Sequence, residues 1–396
     1  MWGLGLMAIC FMYGTADLGA ELTARRSLSV PNVLLPVYSN ATSTLSAWDF
    51  EADNDSVQVI QTRFMQNQPN LVALGEARLK IFESFCLPSI LVQSSQKFLW
   101  LIRTDPDLNQ TLRDPLIAML QPYPNILLVG SNANPEGFRL DASVQDISSS
   151  NVWSGSYELL GRYHMAAQSR VVIETRLDAD DGLHFGFVEY TQLITSEELE
   201  KQETSWLIYC AYKSLEWHHA NPFKQILKDS DHGFIVGVSQ VGCITPGLSF
   251  VYGLKVTRND MPTGPHCHLH KTTPLCSDEL KSSCIRHTKE LKPTAIRART
   301  PTSAGMENVV DGSQTKNLHY RPAESDAALQ DEMWVGVRNT FGIKKEQVFA
   351  LTSHLVRHQP EIVADNLKGQ CTKGHSCKPA SKSVLQELLL VKETTI

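Results

Sequence analysis

Between Val57 and Arg176, apolar runs of strand length take turns with segments of helical spacing, and this alternation restricts the fold more than any other feature of the chain. Residues 57–64 (VQVIQTRF) alternate as a strand does. In residues 73–95, Leu79, Phe82, Phe85 and Cys86 recur at helical spacing, and Pro88 is expected to end or kink that helix. Residues 97–105 read as a buried strand, 108–124 as a helix stopped by prolines, and 125–131 as a strand. A helix over 155–169 and a strand over 170–176 complete the series. The order β-α-β-α-β-α-β implies an α/β fold: an open, mostly parallel sheet flanked by helices. In such sheets ligands bind beyond the carboxyl ends of the strands.

Three carboxylates occupy that place. The run Arg176-Leu177-Asp178-Ala179-Asp180-Asp181 follows the apolar Val171-Val172-Ile173. Like charges so close repel, and burial worsens the repulsion. A metal ion, a basic side chain or bulk water must offset it. Mg²⁺ and Mn²⁺ take oxygen ligands, typically one or two carboxylates completed by substrate phosphates. A D-x-D turn at a strand end offers that, with Asp178 and Asp180 sharing one direction. The alternative is a solvated turn whose acids cap the next helix. A calcium loop of the EF-hand type is excluded, because Gly182 falls at its fifth position instead of its sixth. An aspartate-nucleophile phosphohydrolase also uses D-x-D, but normally on its first strand and followed by Thr or Val. Here a four-strand unit precedes the motif and Asp181 follows it.

Beyond the acids, residues 185–202 read as a helix and 205–212 and 233–239 as strands. His218-His219 is expected in a surface turn. Residues 262–276 form a loop with His266, His268 and His270 alternating, which puts them on one face of an extended segment. Residues 294–309 read as a loop of turn residues and arginines, 327–343 as a helix, and 368–383 as a loop-like tail. The expected organisation is an apolar leader over 1–20, a linker or stem over 21–55, and a catalytic domain over 56–300. A loop-rich C-terminal extension over 301–396 completes it.

Composition narrows the partners. With 42% hydrophobic and 20% charged residues the chain can bury a sizeable core. A net charge of -6 argues against a nucleic-acid partner, whose binding surface is normally basic. Residues 1–16 carry no charge, but they are short for a membrane span, which needs about 20 apolar residues. They also lack the basic start of a signal peptide. A signal-anchor remnant that attaches the chain to a membrane and a buried N-terminus both stay open. Sequons at Asn40, Asn54 and Asn109 favour a glycoprotein of the secretory pathway, in the Golgi or ER lumen, over a cytoplasmic one. The nine cysteines include no CxxC pair, so they are read as local disulfides or buried thiols.

Two blocks now narrow the match. Residues 78–108 (RLKIFESFCLPSILVQSSQKFLWLIRTDPDL) and TRLDADDGL resemble the family named putative rhamnosyl transferase, among glycosyltransferases of the GT-A fold. The resemblance implies transfer of a hexosyl or rhamnosyl group from a nucleotide-sugar donor to a glycan, protein or lipid acceptor, with Mn²⁺ or Mg²⁺ and with inversion. It implies that Asp178 contacts the nucleotide ribose and that Asp180 holds the metal, with Asp178 and Asp181 in support. Thr62, Arg63 and Asp105 would hold the donor base, and Arg162 would face the donor. A histidine after the core, His268, would complete the metal site; a separate zinc site and solvated loop histidines are the alternatives. Asp331 or Glu332, in an acid-then-Arg helix, would be the general base, against a plain exposed helix start. A non-catalytic nucleotide-sugar or glycan-binding protein is the rival from a different class.

Overall fold

A computed structural model describes residues 56–134, 137–138, 144–202, 205–219, 233–239, 243–257, 260–261, 269, 284–303 and 327–372. The leader, the stem, Asn40, Asn54, the three alternating histidines including His268, and the tail after 372 lie outside the described residues.

The alternating segments fold as expected. Strand β1 (Ser56–Phe64) leads to helix α1 (Val72–Ile81), a π-helical turn (Phe82–Cys86) and α2 (Leu87–Leu91). Then come β2 (Leu99–Thr104), α3 (Gln110–Leu120), β3 (Ile126–Gly130), β4 (Val152–Ser154), α4 (Tyr157–Ala167) and β5 (Val171–Arg176). Pro88 does not end its helix. Its missing N–H and its clash with the preceding turn are absorbed by the π turn, in which the Leu87 amide reaches back to the Phe82 carbonyl. Side-chain oxygens cap two helix starts: Asn109 accepts from the Thr111 amide and Ser156 from the Leu159 amide.

After β5 come β6 (Asp181–Leu183), α5 (Phe187–Gln202), β7 (Trp206–Cys210), β8 (Lys213–His218), β9 (Phe234–Ser239), β10 (Leu248–Tyr252), β11 (Ile285–His287) and β12 (Ala295–Arg299). Helix α6 (Ala327–Phe341) stands where the sequence marks a helix; α7 (Lys345–Arg357) and α8 (Gln359–Thr372) follow it, and α8 makes residues 368–372, read as the start of a loop-like tail, helical. Two expectations are corrected. Residues 295–299 are a strand and not a loop, and His218-His219 is buried at the end of β8 and not in a surface turn.

The larger sheet has the order β11-β7-β10-β5-β1-β2-β3-β4. Strands β5, β1, β2 and β3 run parallel, and β10 is inserted antiparallel between β5 and β7. A smaller sheet, β6-β12-β8-β9, stands beside it. One face of the larger sheet packs Ile60, Phe64, Trp100 and Ile102 against Phe82, Phe85, Leu112 and Leu116. The other packs Val57, Val59, Leu99, Leu101 and Val172 against Leu159, Leu160 and Tyr163 of α4. Burial of such side chains stabilises by roughly 1.5–3 kcal/mol each. Among the described residues no helix is long and apolar enough to cross a membrane.

The topology reverses at β1. The chain proceeds outward from β1 to β2 and β3, then returns to place β5 on the other side of β1. Crevices at such reversals, outside the carboxyl ends of the strands, are where open α/β sheets bind ligands.

Candidate metal and donor site

The second sheet face changes character along each strand. Val57 and Val59 are apolar, and the next residues on that face of β1 are Gln61 and Arg63. On β2, Leu99 and Leu101 give way to Arg103, and on β5, Val172 gives way to Glu174 and Arg176. A period-two pattern therefore supplies core at the amino ends and polar groups at the carboxyl ends. The register places Gln61 beside Arg176. An open cleft of about 180 Å³ lies there, lined by Gln61, Arg63, Glu174, Arg176, Leu177, Asp178 and Thr245.

The acidic triad stands at the edge of this cleft. Asp178, Asp180 and Asp181 each offer a carboxylate oxygen, and these atoms lie within 4.8 Å of one another. A divalent ion with metal–oxygen distances of about 2.0–2.6 Å can bridge that span. The turn is fixed by backbone bonds: Asp181 N donates to Asp178 O at 3.1 Å, and Ala298 N donates to Asp180 O at 3.1 Å. Ser303 Oγ donates to Asp180 Oδ2 at 3.2 Å.

The electrostatics match a place that wants a cation. Asp178 is the exposed member of the triad and opens to the cleft. Burial and then the Asp180 charge push it up to about 6, against Arg297, the Thr245 hydroxyl and Arg63. Burial, Asp180 and Asp178 push buried Asp181 well above the usual carboxylate range, although Arg297 and Arg299 oppose this. The Cys86 thiol is pushed up by burial and by the same three aspartates. Burial lowers the Arg78 guanidinium, and the charges of Asp180 and Asp178 oppose that shift. Arg78 donates to Gln68 Oε1 at 2.7 Å and to Thr302 O at 3.0 Å, so it is held beside the acids.

A group the sequence reading missed backs the triad. In the parallel pair β8 and β12, Arg297 stands opposite Glu216 and Arg299 opposite His218. Glu216 is ion-paired with Arg299, lies 3.8 Å from Arg297 Nη1, and lies 3.5 Å from His218 Nε2. Burial opposes ionisation of Glu216, but His218, Arg299 and Arg297 outweigh it and hold the carboxyl far below its usual range. The two arginines therefore carry charge between Glu216 on one side and the aspartates on the other. The signal was present in the sequence: A-I-R-A-R and S-L-E-W-H both alternate.

The expected site residues separate. Arg63 and Asp178 line the cleft. Thr62 turns to the opposite sheet face, where its buried hydroxyl accepts from Trp100 Nε1 at 2.8 Å. Asp105 is buried and ties loops together, accepting from the Asn67 amide at 3.0 Å, Asn132 Nδ2 at 2.9 Å and the Asp107 amide at 2.9 Å. Arg162 is half-buried on α4 and does not line the cleft. Asp331 and Glu332 stand on the exposed side of α6, with Asp331 paired to Lys345 at 2.7 Å. Residues that the sequence reading did not select, Gln61, Glu174, Arg176 and Thr245, form the cleft instead.

Residues 73–210 match the family model described as Putative rhamnosyl transferase. Over this stretch the chain is similar to that family. The match spans α1 through β7 and includes the triad, Glu174 and Arg176. No curated protein matches the chain significantly. Among solved structures, a crystal structure of S. aureus TarS 1-349 is similar at 11% identity and a TM-score of 0.25, covering 79% of this chain and 80% of that one. A second S. aureus TarS structure matches at 12% identity and a TM-score of 0.22, over 79% of this chain and 49% of that one. Superpositions this loose carry no argument; the strand order and the family match do.

Proposed function

We propose that the protein is a glycosyltransferase that moves a hexosyl or rhamnosyl group from a nucleotide-sugar donor to an acceptor hydroxyl. The observation that carries this reading is the acidic triad at the β1/β5 reversal, within the segment similar to the rhamnosyl transferase family. Asp178, Asp180 and Asp181 would hold Mn²⁺ or Mg²⁺, which offsets the charge of a nucleoside diphosphate leaving group. Arg63 and Arg176 line the cleft and favour the anionic donor. Arg297 and Arg299, held by Glu216, keep the acids from repelling one another before the donor arrives. Displacement at the sugar carbon by the acceptor hydroxyl would invert the configuration. An oxidising, lumenal setting is supported by the Cys210–Cys243 disulfide and by Cys284, which is also disulfide-bonded.

The test is donor turnover by the purified full chain, offered a panel of nucleotide sugars and acceptor glycans with and without Mn²⁺. Metal-dependent release of nucleoside diphosphate from one donor, lost in Asp180→Ala, is expected. Binding of manganese and nucleotide without release for any donor–acceptor pair would favour a non-catalytic binding protein. An aspartyl phosphate trapped on Asp178 would favour the phosphohydrolase.

A further inference from the structure

Asp180 is held from a part of the chain far from its own strand. Ser303 is half-buried at the end of the loop 300–303, which follows β12. Its Oγ lies 3.2 Å from Asp180 Oδ2 and 3.3 Å from the Ala298 carbonyl oxygen. A hydroxyl has one proton to donate, and the charged acceptor makes the stronger bond. The loop itself is a fixed turn. Ser303 N donates to Thr300 O at 3.1 Å, and the buried hydroxyls of Thr300 and Thr302 bond each other at 2.8 Å. Its next two carbonyls are taken by other elements. Buried Asn366 of α8 donates from Nδ2 to Pro301 O at 2.7 Å, and Arg78 of α1 donates from Nη2 to Thr302 O at 3.0 Å. Helix α8 is in turn fastened to the start of α1, where Asp365 Oδ2 accepts from the Ala73 amide at 3.1 Å. The loop and α8 both lie outside the stretch similar to the rhamnosyl transferase family.

Resting on the transferase reading, in which Asp180 is a metal ligand, we infer that the C-terminal helix α8 sets the metal site through this loop. Asn366 holds Pro301, the loop presents Ser303, and the Ser303 hydroxyl fixes the rotation of the Asp180 carboxylate. The bond to Oδ2 occupies one lone pair and leaves the others to face a cation. A partner one bond removed from the metal orients its ligand before the ion arrives, and losing such a partner typically costs about 10–100-fold in affinity. Ser303, Asn366 and Arg78 are positioning residues that act through Asp180.

Titration of the full chain with Mn²⁺, followed by paramagnetic resonance, tests this without turnover. Ser303→Ala should weaken Mn²⁺ binding roughly tenfold or more. Asn366→Leu, which keeps the size of the side chain and removes the donor, should weaken it in the same direction. Asn366→Ala repeats the test without the branched side chain. Because Asn366 acts through Ser303, neither Asn366 variant should weaken binding further in the Ser303→Ala background, whereas a general loosening of the fold would add to it. Unchanged affinity in Ser303→Ala or in both Asn366 variants, or an Asn366 effect of equal size in both backgrounds, overturns the inference and leaves the transferase reading standing. No Mn²⁺ bound by the wild type with a nucleoside diphosphate present overturns both.

Discussion

At the scale of single residues, the aspartates of the candidate cation site cost stability when no cation is bound. A carboxyl whose folded pKa is raised binds its proton more tightly in the folded state. It adds stability at low pH and loses it as pH rises through the folded value. Asp181 is such a group. Asp181→Asn should therefore raise the melting temperature of the metal-free protein at pH 7, with the gain shrinking as pH falls, while abolishing stabilisation by Mn²⁺. Thermal unfolding at several pH values, with and without Mn²⁺, checks both halves. Asp178 titrates at about 6 in the metal-free protein, so protons and metal compete there. Manganese affinity should be flat above pH 7 and fall steeply below about pH 6. The acids were legible because their number and position are local properties of the chain. The group that answers them was legible only as two alternating segments: Glu216, Arg297 and Arg299 come from about 40 to 120 residues away, and only strand pairing brings them together.

At the scale of elements, the β8–β12 pair is the support of the site. Its ion cluster is mostly buried, and removing one member of such a cluster costs about 3–5 kcal/mol because the remaining charges lose their partner. Glu216→Ala should lower the free energy of unfolding, read from urea denaturation, by an amount in that range, and Mn²⁺ should recover little of it. Glu216 has a depressed pKa, so its stabilisation is present above the unfolded value and is lost only in strong acid. A second test concerns the turn into α4. Gly155 has φ +88, and a Cβ there would meet the Ile126 carbonyl oxygen at 2.3 Å. Gly155→Ala should destabilise by roughly 1–3 kcal/mol, read from the same unfolding curves. The strands β1, β2, β3 and β5 were legible because each is a long apolar or alternating run next to a periodic helix. Strand β10 is five residues between glycines and pairs antiparallel with β5 and β7, and nothing local announces that pairing. Pro88 was expected to end or kink its helix; the π turn that accommodates it was not foreseen, because local sequence does not separate a break from a bulge.

At the scale of the whole molecule, the reversal of the chain at β1 sets where the cleft lies. The alternating elements foretell a parallel sheet, but the place of β5 beside β1 decides that Gln61, Arg63, Glu174 and Arg176 share one cleft with Asp178. Sequence reading chose Thr62 and Asp105 by their position at strand ends. Pleat alternation turned Thr62 into the Trp100 core, and loop packing used up the Asp105 oxygens. The most direct measurement of the account is titration of the full chain with Mn²⁺, followed by the loss of the free-ion paramagnetic resonance signal. Wild-type protein should bind one Mn²⁺ per chain, tightened by a nucleoside diphosphate, and Asp180→Asn should lose it. Absence of bound Mn²⁺ in the wild type with nucleotide present, or unchanged binding in a variant with Asp178, Asp180 and Asp181 all replaced by Asn, would contradict the account.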